Sequence, residues 1–411
     1  MLQLLSTLFV PVMVPVLLVV IFRYLNAKEK QPIFGVYQVK NKNYWFKLAF
    51  MFIVLKIRQL IAHIKHLLAI EFGKSSDGTI HIHIEECELE QKYSLGNNPK
   101  AIDGVYFNGM SKDAAVICGL ARRAGNVDSF LYLKVEGEEL MLSPCLPDTY
   151  QVQTGDEAGE YKIQGLEIIN YIPMRAWNIA YKGEMKLRSN PEKRVKVEMQ
   201  ATWSARWSPF KYDTQMSALC MAKDIAREQW SRDYFKTLKK LHQTHYEQMG
   251  FLKGTVTIDG KQHILNVPCV RDHSFGPFRD WRTFHRYVYH FIFLENGDCM
   301  AIGIVSQPAI LSHLTIGYVC RNSDGSVFPI QSCDFQLYQH GEGQVLPKDY
   351  GFLYKADNKT HSIRVKVKDE EKFYIGQDRV SKFYERWCDV EIDGIKGYAC
   401  VEWQYNNNMK S

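Results

Sequence analysis

The sequence predicts a mainly β chain, with two antiparallel β-rich halves behind two N-terminal helices. Three observations carry this reading. Turn-forming pairs recur between β-rich runs from about residue 75 onward, at Ser76-Asp77-Gly78, Glu136-Gly137, Asp259-Gly260, Asn296-Gly297, Asp324-Gly325 and Asp393-Gly394. Such pairs supply the positive φ that tight hairpins need. Residues 2–22 are an almost unbroken apolar run, and residues 44–71 show helical rather than alternating periodicity.

In chain order, Leu2 to Phe22 are interrupted only by Gln3, Ser6, Thr7 and two prolines. At about 1.5 Å per residue this run spans the roughly 30 Å of a bilayer's hydrocarbon. A cleaved signal peptide is the competing reading, but no Lys or Arg precedes the run and Leu25-Asn26-Ala27 is a poor cleavage context. Residues 1–30 are therefore expected to be a transmembrane anchor with a basic flank. Arg23, Lys28, Lys30, Lys40 and Lys42 all follow the span, so the positive-inside bias puts the globular part in the cytosol. A single-pass protein of an intracellular membrane, the endoplasmic reticulum, is expected.

Residues 31–74 form the membrane-proximal region, dominated by the helix at 44–71. On a wheel of about 100° per residue, Phe46, Phe50, Ile53, Val54, Ile57, Leu60, Ile61, Ile64, Leu67 and Leu68 make one apolar arc, with Lys47, Arg58 and Lys65 opposite. A basic amphipathic helix of this kind suits a membrane surface, its cations near anionic headgroups. Packing against the globular part is the alternative.

From about residue 75 the turn signals take over. Gly254 to Val267 is the plainest hairpin, two alternating runs around Asp259-Gly260. Ser217 to Gln248 lacks strand patterning and reads as a helical connector, which divides the β-region into residues 75–240 and 241–411. Within that connector His242, His245 and Glu247 suggest a metal site on a helix face, but sequence offers no third ligand, and no metal or cofactor is expected. Ten cysteines fall in no Cys-x-x-Cys pair, and several, such as Cys118 and Cys400, sit among apolar neighbours as small buried hydrophobes. The formal charge of +6 is small and dispersed over 411 residues, which argues against a nucleic-acid partner.

The densest chemistry lies at Arg271-Asp272-His273-Ser274-Phe275-Gly276-Pro277-Phe278-Arg279-Asp280-Trp281. In an extended chain, Arg271, His273 and Phe275 share one face and Asp272 and Ser274 the other. Gly276-Pro277 then turns the chain, and Arg279 to Trp281 begin the return. The segment reads either as a salt-bridge knot or as a pocket wall containing His273. The following run, 284–293, puts His285, Tyr287, Tyr289, Phe291 and Phe293 on one face, which suits either a barrel core or a wall for an apolar ligand.

Arg-Asp-His-Ser-Phe-Gly followed by Asp280-Trp281 resembles the signature of the AttH-like and carotenoid-hydratase-like proteins. Residues 173–183, His245-Tyr246-Glu247-Gln248 and residues 397–403 resemble the same family, so the likeness takes in roughly residues 75–405. It implies two lipocalin-like β-domains side by side. The branch most similar is a eukaryotic one also found beside phosphoenolpyruvate-synthase-like domains, but no phosphate-binding Gly-rich loop occurs in this chain.

The resemblance, the anchor and the amphipathic helix together favour a membrane-anchored carrier for a lipid or isoprenoid. Its partners would be membrane lipid and a hydrophobic small molecule held by Arg271, His273, Phe275, Trp281, His285, Tyr287 and Tyr289. The alternative is a cofactor-independent hydratase or isomerase of a lipid alkene, with Asp272, His273, Trp281 and Tyr289 as catalytic candidates. The family's hydratases pair a His with a Trp two residues on, where this chain has Phe275. The anchor has a direct test: full-length protein is expected to stay in the membrane pellet through an alkaline carbonate wash, and its release would contradict the reading.

Overall fold

The computed structural model of the chain describes residues 28–72 and 84–407, together with Pro15 and Val19. The apolar run at 2–22, as a span, and the Ser76-Asp77-Gly78 turn lie outside the described residues. Among those described, no helix is long and apolar enough to cross a membrane.

Helix α1 (Tyr44–Phe72) and the short α2 (Ile84–Leu89) precede the sheets. The first sheet contains β1 (Ile102–Met110), β2 (Ala115–Arg123), β3 (Asn126–Lys134), β4 (Met141–Leu142), β5 (Tyr150–Val152), β6 (Lys162–Ile163), β7 (Leu166–Ile172), β8 (Ala176–Leu187), β9 (Arg194–Ala205) and β10 (Phe210–Lys211). Helices α3 (Tyr212–Gln215), α4 (Ala218–Ile225) and α5 (Arg232–Lys240) follow, and β11 (Thr244–Ile258) and β12 (Lys261–Gly276) complete the sheet. The second sheet comprises β13 (Arg286–Leu294), β14 (Cys299–Gln307), β15 (Leu311–Cys320), β16 (Val327–Pro329), β17 (Ser332–Cys333), β18 (Asp349–Ala356), β19 (Lys359–Ile375), β20 (Ser381–Ile392) and β21 (Ile395–Asn406).

Eight strands of the first sheet close into a barrel in the order β11-β12-β1-β2-β3-β4-β8-β9, with β9 returning to β11. The second sheet runs β16-β15-β14-β13-β21-β20-β19-β18-β17 and stays open as a half-barrel. This is a mainly β, double lipocalin-like architecture. Pattern explains the strands: β9 alternates exposed and buried residues along nearly its whole length, sending Val195, Val197, Met199, Ala201 and Trp203 inward. Asp259-Gly260 and Asp393-Gly394 make two-residue hairpin turns with both φ angles positive.

Among the described residues three apolar cores lie within and between the sheets, and a fourth lies under α1. Trp177, Trp203, Phe107, Tyr181 and Met199 fill the barrel interior. Val288, Ile302, Val390 and Trp403 belong to the core inside the half-barrel. A third core, including Ile117, Tyr132, Met249, Phe291 and Trp387, lies between the outer faces of the two modules.

Several boundaries differ from the sequence reading. The first strand begins at Ile102, and residues 84–89 are helical rather than extended. The boundary read at residue 240 cuts the first barrel, because β11 and β12 at 244–276 close it. The connector's helices end at Lys240, so His245 and Glu247 are strand residues. The return after Gly276-Pro277 is a single helical turn at Trp281–Thr283 instead of a strand.

Helix α1 packs Met51 and Leu55 against Ala222, Ile225 and Ile310. Its opposite side leaves Phe46, Phe50, Ile53, Ile57, Leu60, Ile61 and Ile64 exposed, most of the predicted apolar arc. Of the basic side, Lys47 turns toward the protein, donating to the Glu228 carbonyl oxygen at 2.7 Å and lying over the Trp230 ring. Arg58 stays exposed, and the Lys65 side chain lies outside the described residues.

The barrel's closing seam requires glycine. A Cβ at Gly250 would lie 2.1 Å from the Ser204 carbonyl oxygen, and one at Gly254 2.0 Å from that of Gln200. Gly254→Val is therefore expected to cost about 1–3 kcal/mol through overpacking at the β9–β11 seam, read as a lower urea midpoint. An unchanged midpoint would show that the seam opens freely.

Candidate functional site

Strand β12 carries charges on both faces, buried on the inner face and partly buried on the outer. Inward, Arg271 pairs with Glu90 at 2.6 Å and donates to Gln248 Oε1 at 2.8 Å, with Trp177, Trp203 and Tyr246 rings around its guanidinium. Glu90, just past α2, enters this end of the barrel and also accepts from Trp177 Nε1 and the Tyr246 hydroxyl. His273 lies 2.8 Å from Asp103 and 2.7 Å from the Tyr246 hydroxyl. Asp103 in turn pairs with Arg122. Burial opposes the Asp103 charge, but the His273 and Arg122 contacts hold its carboxyl below the usual range. Arg271 and His273 thus form a closed knot inside the barrel, and Phe275 stacks on Tyr93 at the barrel's end.

Outward, β12 presents Asp272 to the second module. Strand register sets Asp272 beside Glu247 on β11 and Tyr106 on β1. His245 lies 2.6 Å from Asp272 and 3.3 Å from Glu247. Burial works against the His245 charge, yet the two carboxylates outweigh it and push the imidazole up to about 10. Tyr289 donates to Glu247 at 2.7 Å and shares a short hydrogen bond with Tyr212.

The facing wall comes from three neighbouring strands of the half-barrel, in which Tyr289, Glu402 and Glu385 stand opposite one another. Glu385 and Glu402 are both buried. Tyr106 donates to Glu385 at 3.3 Å, the Cys400 thiol to its other oxygen at 3.1 Å, and Tyr287 to Glu402. Burial pushes the Glu385 carboxyl up to about 7. Burial and then the neighbouring Glu385 push Glu402 well above the usual carboxylate range. Two adjacent carboxyls in a dry site do not both ionise, so the pair retains a proton near neutral pH.

A cleft of about 870 Å³ opens between the modules, with Met110, Ala115, Leu140, Trp387 and Tyr398 on its apolar lining and Lys112, Lys134, Arg188, Lys368 and Asp369 among its polar residues. Trp387 is the lining residue next to the acid pair: Tyr132, 5.7 Å away ring to ring, feels the Glu385 charge, and Cys400 pairs with Trp387 across the strands. Trp387 Nε1, the Tyr132 hydroxyl, Asn108 Oδ1 and Glu247 Oε2 are buried with no hydrogen-bond partner among the described residues.

Of the residues singled out from sequence, Asp272, Tyr287 and Tyr289 meet at this seam. His273, Arg271 and Phe275 face into the barrel instead. His285 precedes β13, escapes its alternation and bonds Glu342 at 2.6 Å. Trp281 packs edge-on to Phe383 at the margin of the seam. The sequence reading missed Glu385 and Glu402 as site residues. The available signal was an acid placed among apolar residues within a strand, as in Cys400-Val401-Glu402-Trp403.

A model for a family of unknown function, DUF8627, matches residues 8–405. The chain belongs to DUF8627. No curated protein matches this DUF8627 chain by sequence. Among solved structures it is similar to a Nitrosomonas europaea protein described as AttH, with TM-score 0.51 and 7% identity over 76% of this chain and 97% of that one. It also matches kievitone hydratase from Nectria haematococca, with TM-score 0.46 and 12% identity over 76% and 91% of the two chains. The first likeness shows the shared double lipocalin-like fold.

The acid pair has a thermodynamic signature. Between the ordinary glutamate value near 4.5 and the folded value near 7, the unfolded chain has released a proton that the folded chain keeps. Stability should therefore fall as pH rises through this window, on the order of 1 kcal/mol per pH unit. Glu385→Gln should flatten that slope in urea unfolding, and an unaltered slope would show that the pair is already ionised.

Proposed function

We propose that this DUF8627 protein is an acid–base catalyst that adds water to, or isomerises, a carbon–carbon double bond in an apolar ligand held between its two modules. The observation that carries this reading is the buried Glu385–Glu402 pair beside Trp387, a carboxyl held near 7 next to the cleft between the modules. A general acid works best with a pKa near the working pH. In the hydration cycle, the proton of the pair adds to one alkene carbon, a cation develops on the other, and water attacks it. The water's surplus proton returns to the pair. Aromatic faces from Trp387, Tyr132 and Phe291 suit the cationic stage.

The filled barrel interior favours the seam over the barrel as the ligand's place, and thus favours catalysis over the carrier reading. Membrane attachment belongs to the same proposal. The exposed apolar side of α1 supports contact with a bilayer from which such a ligand is drawn, and the sequence charge bias supports an intracellular membrane with the modules cytosolic.

The test uses a total lipid extract incubated with the full chain in ¹⁸O-labelled and deuterated water, followed by mass spectrometry. Hydration predicts one labelled oxygen and one deuterium in a product, and isomerisation predicts deuterium alone. Either should fall by roughly 10²-fold or more in Glu385→Gln, the scale of general-acid catalysis. Unlabelled lipid that nonetheless co-purifies with the protein would instead support a carrier.

A further inference from the structure

We infer that His245, Glu247 and Asp272 form a binding site for a divalent transition-metal cation, at the rim of the seam and separate from the Glu385–Glu402 pair. This goes beyond the proposed reaction, which requires no metal.

The site is built from two strands. His245 and Glu247 are two residues apart on β11 and so point to one side, and the register places Asp272 of β12 directly across from Glu247. One donor atom from each residue lies within 4.8 Å of the others. The His245 Nε2 separations, 2.6 Å to Asp272 Oδ2 and 3.3 Å to Glu247 Oε1, bracket the roughly 3 Å edge that ligands at about 2.1 Å from one ion define. One imidazole and two carboxylates are a donor set for zinc or manganese, with the remaining positions open to water.

A second observation concerns Glu247 itself. Glu247 is completely buried, and while its Oε1 is engaged by Tyr289 and His245, its Oε2 has no partner among the described residues. A buried carboxylate oxygen without a donor is costly unless a cation or proton meets it. Tyr212 stacks on the His245 ring at 4.2 Å and fixes its plane, as outer-shell partners of metal ligands do. Arg279 donates its Nε–H to Gln243 and acts on Asp272 only through its charge, while His245 makes the direct contact. The His245 side chain is 25% exposed and that of Asp272 16%, so an ion has a path from solvent. His242, the other histidine of the sequence motif, is paired with Asp213 instead.

The test titrates chelator-stripped full-length protein with Zn²⁺ and separately with Mn²⁺, by calorimetry and by thermal melting. The inference predicts one equivalent bound for at least one of these ions, with a rise in Tm, since an ion that binds only the folded state stabilises it. Asp272→Asn and His245→Gln should each weaken that binding at least tenfold, and His242→Gln should leave it unchanged. Asp272→Asn keeps the shape of the side chain, so a folded variant is available if His245→Gln fails to fold. Absence of a stoichiometric site for both ions, or equal affinity in wild type and Asp272→Asn, would overturn the inference. Deuterium uptake by lipid with Glu385→Gln tests the acid pair independently, so the two readings fail separately.

Discussion

Strand β12 carries ionisable side chains on both of its faces, fully buried on the inner face at Arg271 and His273 and largely covered on the outer face at Asp272. Arg271 and His273 project into the barrel and Asp272 projects out of it, so each side must be neutralised by protein groups. Leaving one such partner out strands a buried charge, at a cost of several kcal/mol. Inside, Glu90 and Asp103 meet this demand, which explains why the segment after α2 is drawn into the end of the barrel. Outside, His245 meets it for Asp272, with Arg279 adding positive charge nearby.

Covering a polar strand with a second sheet makes an unusual module boundary. Greasy contacts such as Met249, Phe291 and Ile117 account for much of the seam, yet the half-barrel answers the polar face of β12 with Glu385, Glu402, Tyr287 and Tyr289. Tyrosine hydroxyls and a thiol satisfy these acids in place of cations. Burial without a cation partner keeps these acids protonated to higher pH. The barrel interior is filled by Trp177, Trp203 and their apolar neighbours.

Local pattern made part of this legible. Period-2 alternation assigned the two faces of residues 271–275 correctly, the Asx-Gly pairs marked hairpins, and the helical wheel found α1. What it missed depends on distance along the chain. Glu90 stands 181 residues from Arg271, and Asp103 stands 170 from His273, and alternation says nothing of such partners. That is why a pocket wall and a knot looked alike for His273. The reading of His245 and Glu247 as helical failed because β11 pairs with three neighbours, and that tertiary pairing overrides weak local preference. Glu385 and Glu402, on opposite arms of one hairpin, gained meaning only once their strands were seen to face the barrel.

The central claim is that the seam holds a protonated glutamate at neutral pH. Infrared difference spectroscopy of wild type against Glu385→Gln, and of Glu402→Gln in the same way, measures this directly. The account predicts a carboxylic-acid carbonyl band at neutral pH that shifts in deuterated water and disappears or moves in each variant. A spectrum in which both substitutions remove only ionised carboxylate bands would contradict it.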